Sequence, residues 1–232
     1  MNSRKPLRRA FRATKAALRA FFPLALSAFP LIAQPPAPGA VASVSHTSSL
    51  GFSYSLPGNW EVVESSAPPT LAGMKQQAQN ATSADEKRGV ACVQVAFTGR
   101  HGSPPSVVMA IQLPFACLGR TATEKDLPGF AQGASEQLKR QFNFTNTAQG
   151  AYSLGSHSMW TERSKGTLKG NPGTPYTTEI TCTVLKKGAV CWMTVAADDD
   201  ALHAFEQGQV ILEGESPATL VPPTAFDRKP TP

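Results

Sequence analysis

The sequence predicts an α+β domain, a central and predominantly antiparallel β-sheet flanked by helices. Three observations predict it. Apolar residues fall at every second position in Leu50-Gly-Phe52-Ser-Tyr54-Ser-Leu56, the period of a half-buried strand. Two pairs of strand-like runs, Val90–Phe97 with Val107–Leu113 and Tyr176–Leu185 with Ala189–Ala196, read as hairpins. Helical segments are predicted at three points between these strands, near 71–80, after Asp126 and over Asp198–Leu212.

In chain order, the first strand runs into a Pro57-Gly58-Asn59 turn and a second short strand, Trp60–Glu64. The helix near 71–80 is interrupted by Gly73, and a loop rich in Gly and Pro (Gly99 to Pro105) joins the next two strands. Asp126 is placed to cap the clearest helix, Pro128 suits its first turn, and Lys139 and Arg140 suit its last. Phe130, Ala134, Leu138 and Phe142 recur at spacings of four and face the sheet. Strand-like segments follow at Ala148–Leu154 and Ser158–Lys165. The last hairpin turns at Lys186-Lys187-Gly188. A two-residue Lys-Lys turn sets Cys182 opposite Cys191; a three-residue turn with Gly188 left-handed sets Cys191 opposite Thr183, and the glycine favours this second register.

Charge is distributed unevenly. The formal net charge of +6 comes from 22 Lys and Arg against 16 Asp and Glu. Seven of the basic residues (Arg4, Lys5, Arg8, Arg9, Arg12, Lys15, Arg19) lie in the first nineteen positions, and the first acidic residue is Glu61, which leaves 15 basic against 16 acidic beyond them. The interspersed remainder carries no basic footprint of the kind that tracks phosphates, which speaks against a nucleic-acid partner. An apolar run, Ala20–Ala33, follows the basic stretch. It is too short for a helix crossing a hydrocarbon core of about 30 Å, and the two together have the form of a secretory leader. Cleavage after Ala33 leaves a mature chain with no stable membrane span, and cleavage after Ala42 is the alternative. Arg8-Arg9-Ala10-Phe11 resembles a twin-arginine signal except that Leu7 stands where Ser or Thr is usual. The compact apolar block argues against an organellar transit peptide, and no lipobox cysteine follows the leader. The expected location is secreted or periplasmic.

The expected organisation is therefore a signal peptide at 1–33, a Pro/Ala/Ser-rich linker at 34–46, one α+β domain at 47–215 and a disordered Pro-rich tail at 216–232. Cys92, Cys117, Cys182 and Cys191 all fall in the mature part, and none belongs to a C-x-x-C pair, which counts against zinc and thioredoxin-like chemistry. Of the three possible pairings, sequence neighbours favour Cys92–Cys117 and Cys182–Cys191; buried free thiols are the alternative.

Chemistry-bearing clusters are sparse. Asp199, His203 and Glu206 share one face of the predicted last helix and could present three metal ligands; the competing reading is an acidic helix N-terminus with a solvated histidine. His46, His101 and His157 are scattered. There is no G-x-S-x-G elbow, and no phosphate-binding glycine loop follows a strand. Trp60, Trp160 and Trp192 read as core, with an apolar pocket as the alternative. Asn80-Ala-Thr82 and Asn143-Phe-Thr145 are glycosylation sequons, meaningful only in a eukaryotic secretory pathway.

Gly51-Phe52-Ser-Tyr54-Ser-Leu-Pro57-Gly-Asn-Trp60 resembles the opening hairpin of Mog1/PsbP-like domains, including exported PsbP-like and DcrB-like members. The order of later elements is similar over residues 47–213. The resemblance implies an α/β/α sandwich around an antiparallel sheet and a largely accessory or binding role with no shared catalytic residues; it transfers no functional position to this chain. The function expected is thus that of a non-enzymatic accessory or binding domain of the cell envelope, without a cofactor, engaging a protein partner or a small apolar ligand. The competing expectation is a secreted hydrolase or metal-dependent enzyme whose site assembles from residues distant in sequence.

Overall fold

The structure, a computed structural model, describes residues 44–63 and 91–222. The leader, the helix predicted near 71–80 and the last ten residues lie outside the described residues.

The strands are β1 (Val44–Thr47), β2 (Phe52–Leu56), β3 (Glu61–Val62), β4 (Gln94–His101), β5 (Ser106–Pro114), β6 (Phe142–Leu154), β7 (His157–Leu168), β8 (Asn171–Leu185), β9 (Gly188–Ala196), β10 (Gln209–Leu212) and β11 (Ala218–Thr219). The α-helices are α1 (Phe115–Leu118), α2 (Leu127–Gln141) and α3 (Asp199–Glu206), with a 3-10 turn at Glu124–Asp126. All pairings are antiparallel. The larger sheet has seven strands in the order β3-β4-β5-β9-β8-β7-β6, and a four-stranded sheet runs β1-β2-β10-β11. The α+β class with an antiparallel sheet is thus what the chain forms.

β9 lies at the centre of the larger sheet and all nine of its residues are buried. Covered on both faces, it can be apolar without alternation, which is how its sequence reads. Its two faces open two cores. On one, Cys191, Met193 and Val195 pack with Leu127, Phe130, Ala134 and Leu138 of α2. On the other, Val190 and Trp192 pack with Phe52, Tyr54 and Leu56 of β2, Val210 and Leu212 of β10, and Ala201 and Phe205 of α3. Among the described residues, the second face is therefore covered by a small sheet together with α3.

Several boundaries move. β1 begins at Val44 and pairs with β2, so the last residues assigned to the linker belong to the fold. At the other end β11 pairs with β10 and Leu220 is fully buried, so ordered structure continues past 215 into the segment assigned to the tail. The closing helix stops at Glu206. Val210 and Leu212, whose apolar character extended the helical pattern, instead form β10 against β2, where alternate side chains enter the core. Phe142 does face the α2 core, but as the first residue of β6. Asp126 stands at the N-cap of α2 without a side-chain cap, because its carboxylate accepts the Thr123 N–H (2.8 Å) in a capping box one turn earlier.

The last hairpin takes the two-residue turn. Leu185 pairs with Gly188 and Cys182 with Cys191, and the glycine is not left-handed. Its role is close approach: a Cβ at Gly188 would lie 2.6 Å from the Leu113 carbonyl oxygen and 2.7 Å from Leu50 Cδ1. Glu213 secures the turn from outside, its carboxylate accepting the Lys186 N–H at 2.7 Å. Gly188→Ala should therefore cost about 1–3 kcal/mol, the usual range for overpacking, read as a lower denaturant midpoint with an unchanged slope.

Candidate functional site

Two places concentrate polar side chains on the face of the larger sheet that carries the small sheet. The first is sealed. Glu179 of β8, its side chain fully buried, accepts from Arg163 Nε of β7 at 2.7 Å, and Arg163 Nη2 stands 2.5 Å from the same carboxylate oxygen. Arg163 Nη2 also meets Glu206 of α3, so one guanidinium joins the sheet to the helix. Thr181 Oγ1 lies 2.9 Å from Thr161 Oγ1 and 3.4 Å from Glu179 Oε1. Tyr54 Oη donates to the Phe205 carbonyl (3.1 Å), and Tyr152 Oη to that of Leu220 (3.0 Å). Strand alternation explains the gathering: Thr161 and Arg163, and Glu179 and Thr181, are two apart on neighbouring strands and point the same way.

Burial pushes the Glu179 carboxyl up to about 7; the Arg163 charge and hydrogen bond and the Thr181 hydroxyl oppose that rise, while the Glu206 carboxylate adds to it. The Tyr54 and Tyr152 hydroxyls are raised for the same first reason, with the Glu179 carboxylate adding to it. These residues are turned on one another and away from solvent. Their arrangement fixes α3 and β2 onto the larger sheet.

The second place is open. The two-residue β6–β7 turn, Gly155-Ser156, and the segment Glu215–Ala218 border a groove of about 500 Å³ with apolar walls from Leu154, Val210 and Leu212. Gly155 takes φ 59°, in the left-handed region that favours glycine, and lies close under the Glu215 carboxylate. The Glu215 carboxylate accepts the Ser156 N–H at 3.3 Å and the Ser156 hydroxyl, and His157 Nε2 lies 3.6 Å from it. The Ser156 hydrogen bond is the first cause that lowers the Glu215 carboxyl from its ordinary value. Ser156 and His157 share one acceptor and the serine hydroxyl is directed at it, so this geometry does not set the imidazole as a base for the serine, as nucleophilic catalysis requires. A smaller cleft of about 280 Å³ lies between Lys165, Tyr176 and the acidic start of α3 at Asp198 and Asp199.

The residues singled out in the sequence are only partly brought together. Asp198 caps α3, accepting the Ala201 N–H at 2.7 Å, as an acidic helix start should. Asp199 and His203 are exposed, whereas Glu206 turns inward to Arg163; among the described residues no three such side chains converge as a metal site. His101 Nδ1 is 3.0 Å from the Asn59 carbonyl and its ring packs near Trp60. Trp60 and Trp192 are buried in the core, and the indole nitrogens of all three tryptophans are buried without a hydrogen-bond partner. The four cysteines form Cys92–Cys117 and Cys182–Cys191, the latter with Cα atoms 4.1 Å apart across the last hairpin. Sequence reasoning missed Glu179 and Arg163 altogether. The available signal was slight: Glu179 is the one charged residue in the apolar and Thr-rich run Tyr176–Leu185.

Neither a family model nor a curated protein matches this chain. Among solved structures, it is similar to LpqN of Mycobacterium tuberculosis, described as involved in cell envelope biogenesis, at 16% identity and TM-score 0.39, over 73% of this chain and 89% of that one. It is also similar to the cyanobacterial PsbP of Synechocystis sp. PCC 6803, at 11% identity and TM-score 0.37, over 74% and 89%. Among the described residues, no helix is long and apolar enough to cross a membrane.

Proposed function

We propose that the protein is an exported, non-catalytic accessory or binding domain of the cell envelope. The observation that carries the reading is that the polar side chains gathered at these two places satisfy one another: Arg163 serves Glu179 and Glu206 in the interior, and Ser156 and His157 share Glu215 at the groove. The leader and the two disulfides support a location in an oxidising compartment. The groove beside Leu154 and Leu212, apolar along its walls and anionic at one end, is where a small apolar ligand or an apolar partner side chain would lodge.

The competing reading, a secreted hydrolase, draws on one specific observation, the meeting of His157 with a carboxylate beside that groove. The two are separated by assaying the purified protein against ester, peptide and glycoside substrates, alongside Ser156→Ala and His157→Ala. The proposal expects no turnover that either substitution removes. Turnover abolished by Ser156→Ala in a variant of unchanged thermal stability would establish the enzyme instead.

A further inference from the structure

The edges of the two sheets are not treated alike. β3, at one end of the larger sheet, pairs over only two residues and carries the Glu61–Arg100 ion pair (2.6 Å). In the smaller sheet the edges are β1, four residues, and β11, two. Short and charged edges are the ordinary protection against unwanted strand pairing. β6, the other end of the larger sheet, has none of it. It is 13 residues long, Phe-Asn-Phe-Thr-Asn-Thr-Ala-Gln-Gly-Ala-Tyr-Ser-Leu, and contains no charged residue and no proline. Among the described residues no strand pairs with its outer side.

A chargeless strand is suited to one occupant in particular. When a strand pairs antiparallel with its own copy about a two-fold axis, every residue i that meets j is matched by j meeting i. Each charge then meets the same few side chains twice, and one at the axis meets itself. β6 avoids that penalty along its whole length. Its one irregularity, a register shift between Phe144 and Asn146, leaves Asn146–Leu154 as the regular stretch. Gly150 is the midpoint of that stretch, and a glycine there keeps the axis free of side chains. Gln149 and Ala151, both exposed and on one face, then stand opposite Ala151 and Gln149 of the copy. We infer that β6 is a self-pairing edge, through which two copies of this chain join their larger sheets into one continuous sheet about an axis at Gly150. Assembly stops at two, because the opposite edge is the short, charged β3.

Sedimentation equilibrium of the purified protein over a wide dilution series tests this. The wild type should fit a reversible monomer–dimer equilibrium. Gln149→Lys/Ala151→Lys, which sets lysine against lysine on both sides of the axis, should weaken the dimer by roughly tenfold or more. Gln149→Lys/Ala151→Glu, which sets each lysine against a glutamate, should restore it. Both positions are exposed, and unchanged thermal unfolding confirms the fold. A wild type that stays monomeric at every concentration overturns the inference, as does a dimer indifferent to both variants. Assemblies larger than two also overturn it.

Discussion

Above about pH 7, where Glu179 is ionised, Arg163→Met should lower the stability of the domain by about 3–5 kcal/mol, the usual cost of stripping a buried charge of its partner. For a domain of this size that is a fall in Tm of roughly 10 °C. The cause is Glu179, fully buried and dependent on the guanidinium for its main favourable contact. The same residue sets the pH dependence. Its carboxyl stands at about 7 in the folded protein against an ordinary 4.5. The folded state therefore holds this proton more tightly than the unfolded chain. The associated stability is fully present below about pH 4.5 and is lost as the pH rises through about 7, a change on the order of 3 kcal/mol. Removing Arg163 takes away the largest opposing influence, so the carboxyl titrates higher still. The deficit of the variant should widen with rising pH and narrow in acid, where Glu179 is neutral. Glu179→Gln should flatten the wild-type profile between pH 5 and 8. Thermal unfolding across that range checks all three; a deficit independent of pH would separate Glu179 from the effect.

Removing Cys92–Cys117 should cost more than removing Cys182–Cys191. The first closes a separation of 25 residues and the second of 9, and loop-closure entropy gives about 3.5 and about 2.6 kcal/mol respectively. Context widens the gap. Cys182 and Cys191 already face each other across a hairpin held on both sides, by β5 and by β7, so cutting their bond frees little chain. Cys92, by contrast, precedes β4 and is tied to the short helix α1 after β5, bridging the open end of a long hairpin. Chemical denaturation of Cys92→Ala/Cys117→Ala and of Cys182→Ala/Cys191→Ala measures both; equal losses would contradict this ordering.

How much the sequence discloses follows from how local each signal is. The alternation through Phe52 and Tyr54 is satisfied by one buried face of β2, and the spacing of Phe130, Ala134 and Leu138 by one face of α2, so both are legible. The closing segment is ambiguous because α3 and β10 both present apolar residues to the same core, and only pairing with β2 decides where helix ends. At Lys186-Lys187 the glycine that suggested a left-handed turn is instead required by Leu113 and Leu50 crowding Gly188, contacts distant in sequence that no turn rule contains. Glu179, Arg163 and Glu206 are brought together by strand neighbours and a docked helix; their charges alone read as surface. The groove depends in the same way on Glu215 reaching the β6–β7 turn across 59 residues of sequence.

Intact-mass spectrometry of the chain recovered from the extracytoplasmic fraction of a bacterial host, with and without thiol alkylation, tests the account most directly. The proposed exported, disulfide-braced domain should begin at Gln34 or at Ser43, lack the hydrogens of two disulfides, and take up no alkylating agent before reduction. A full-length cytoplasmic chain with four alkylatable thiols would contradict it.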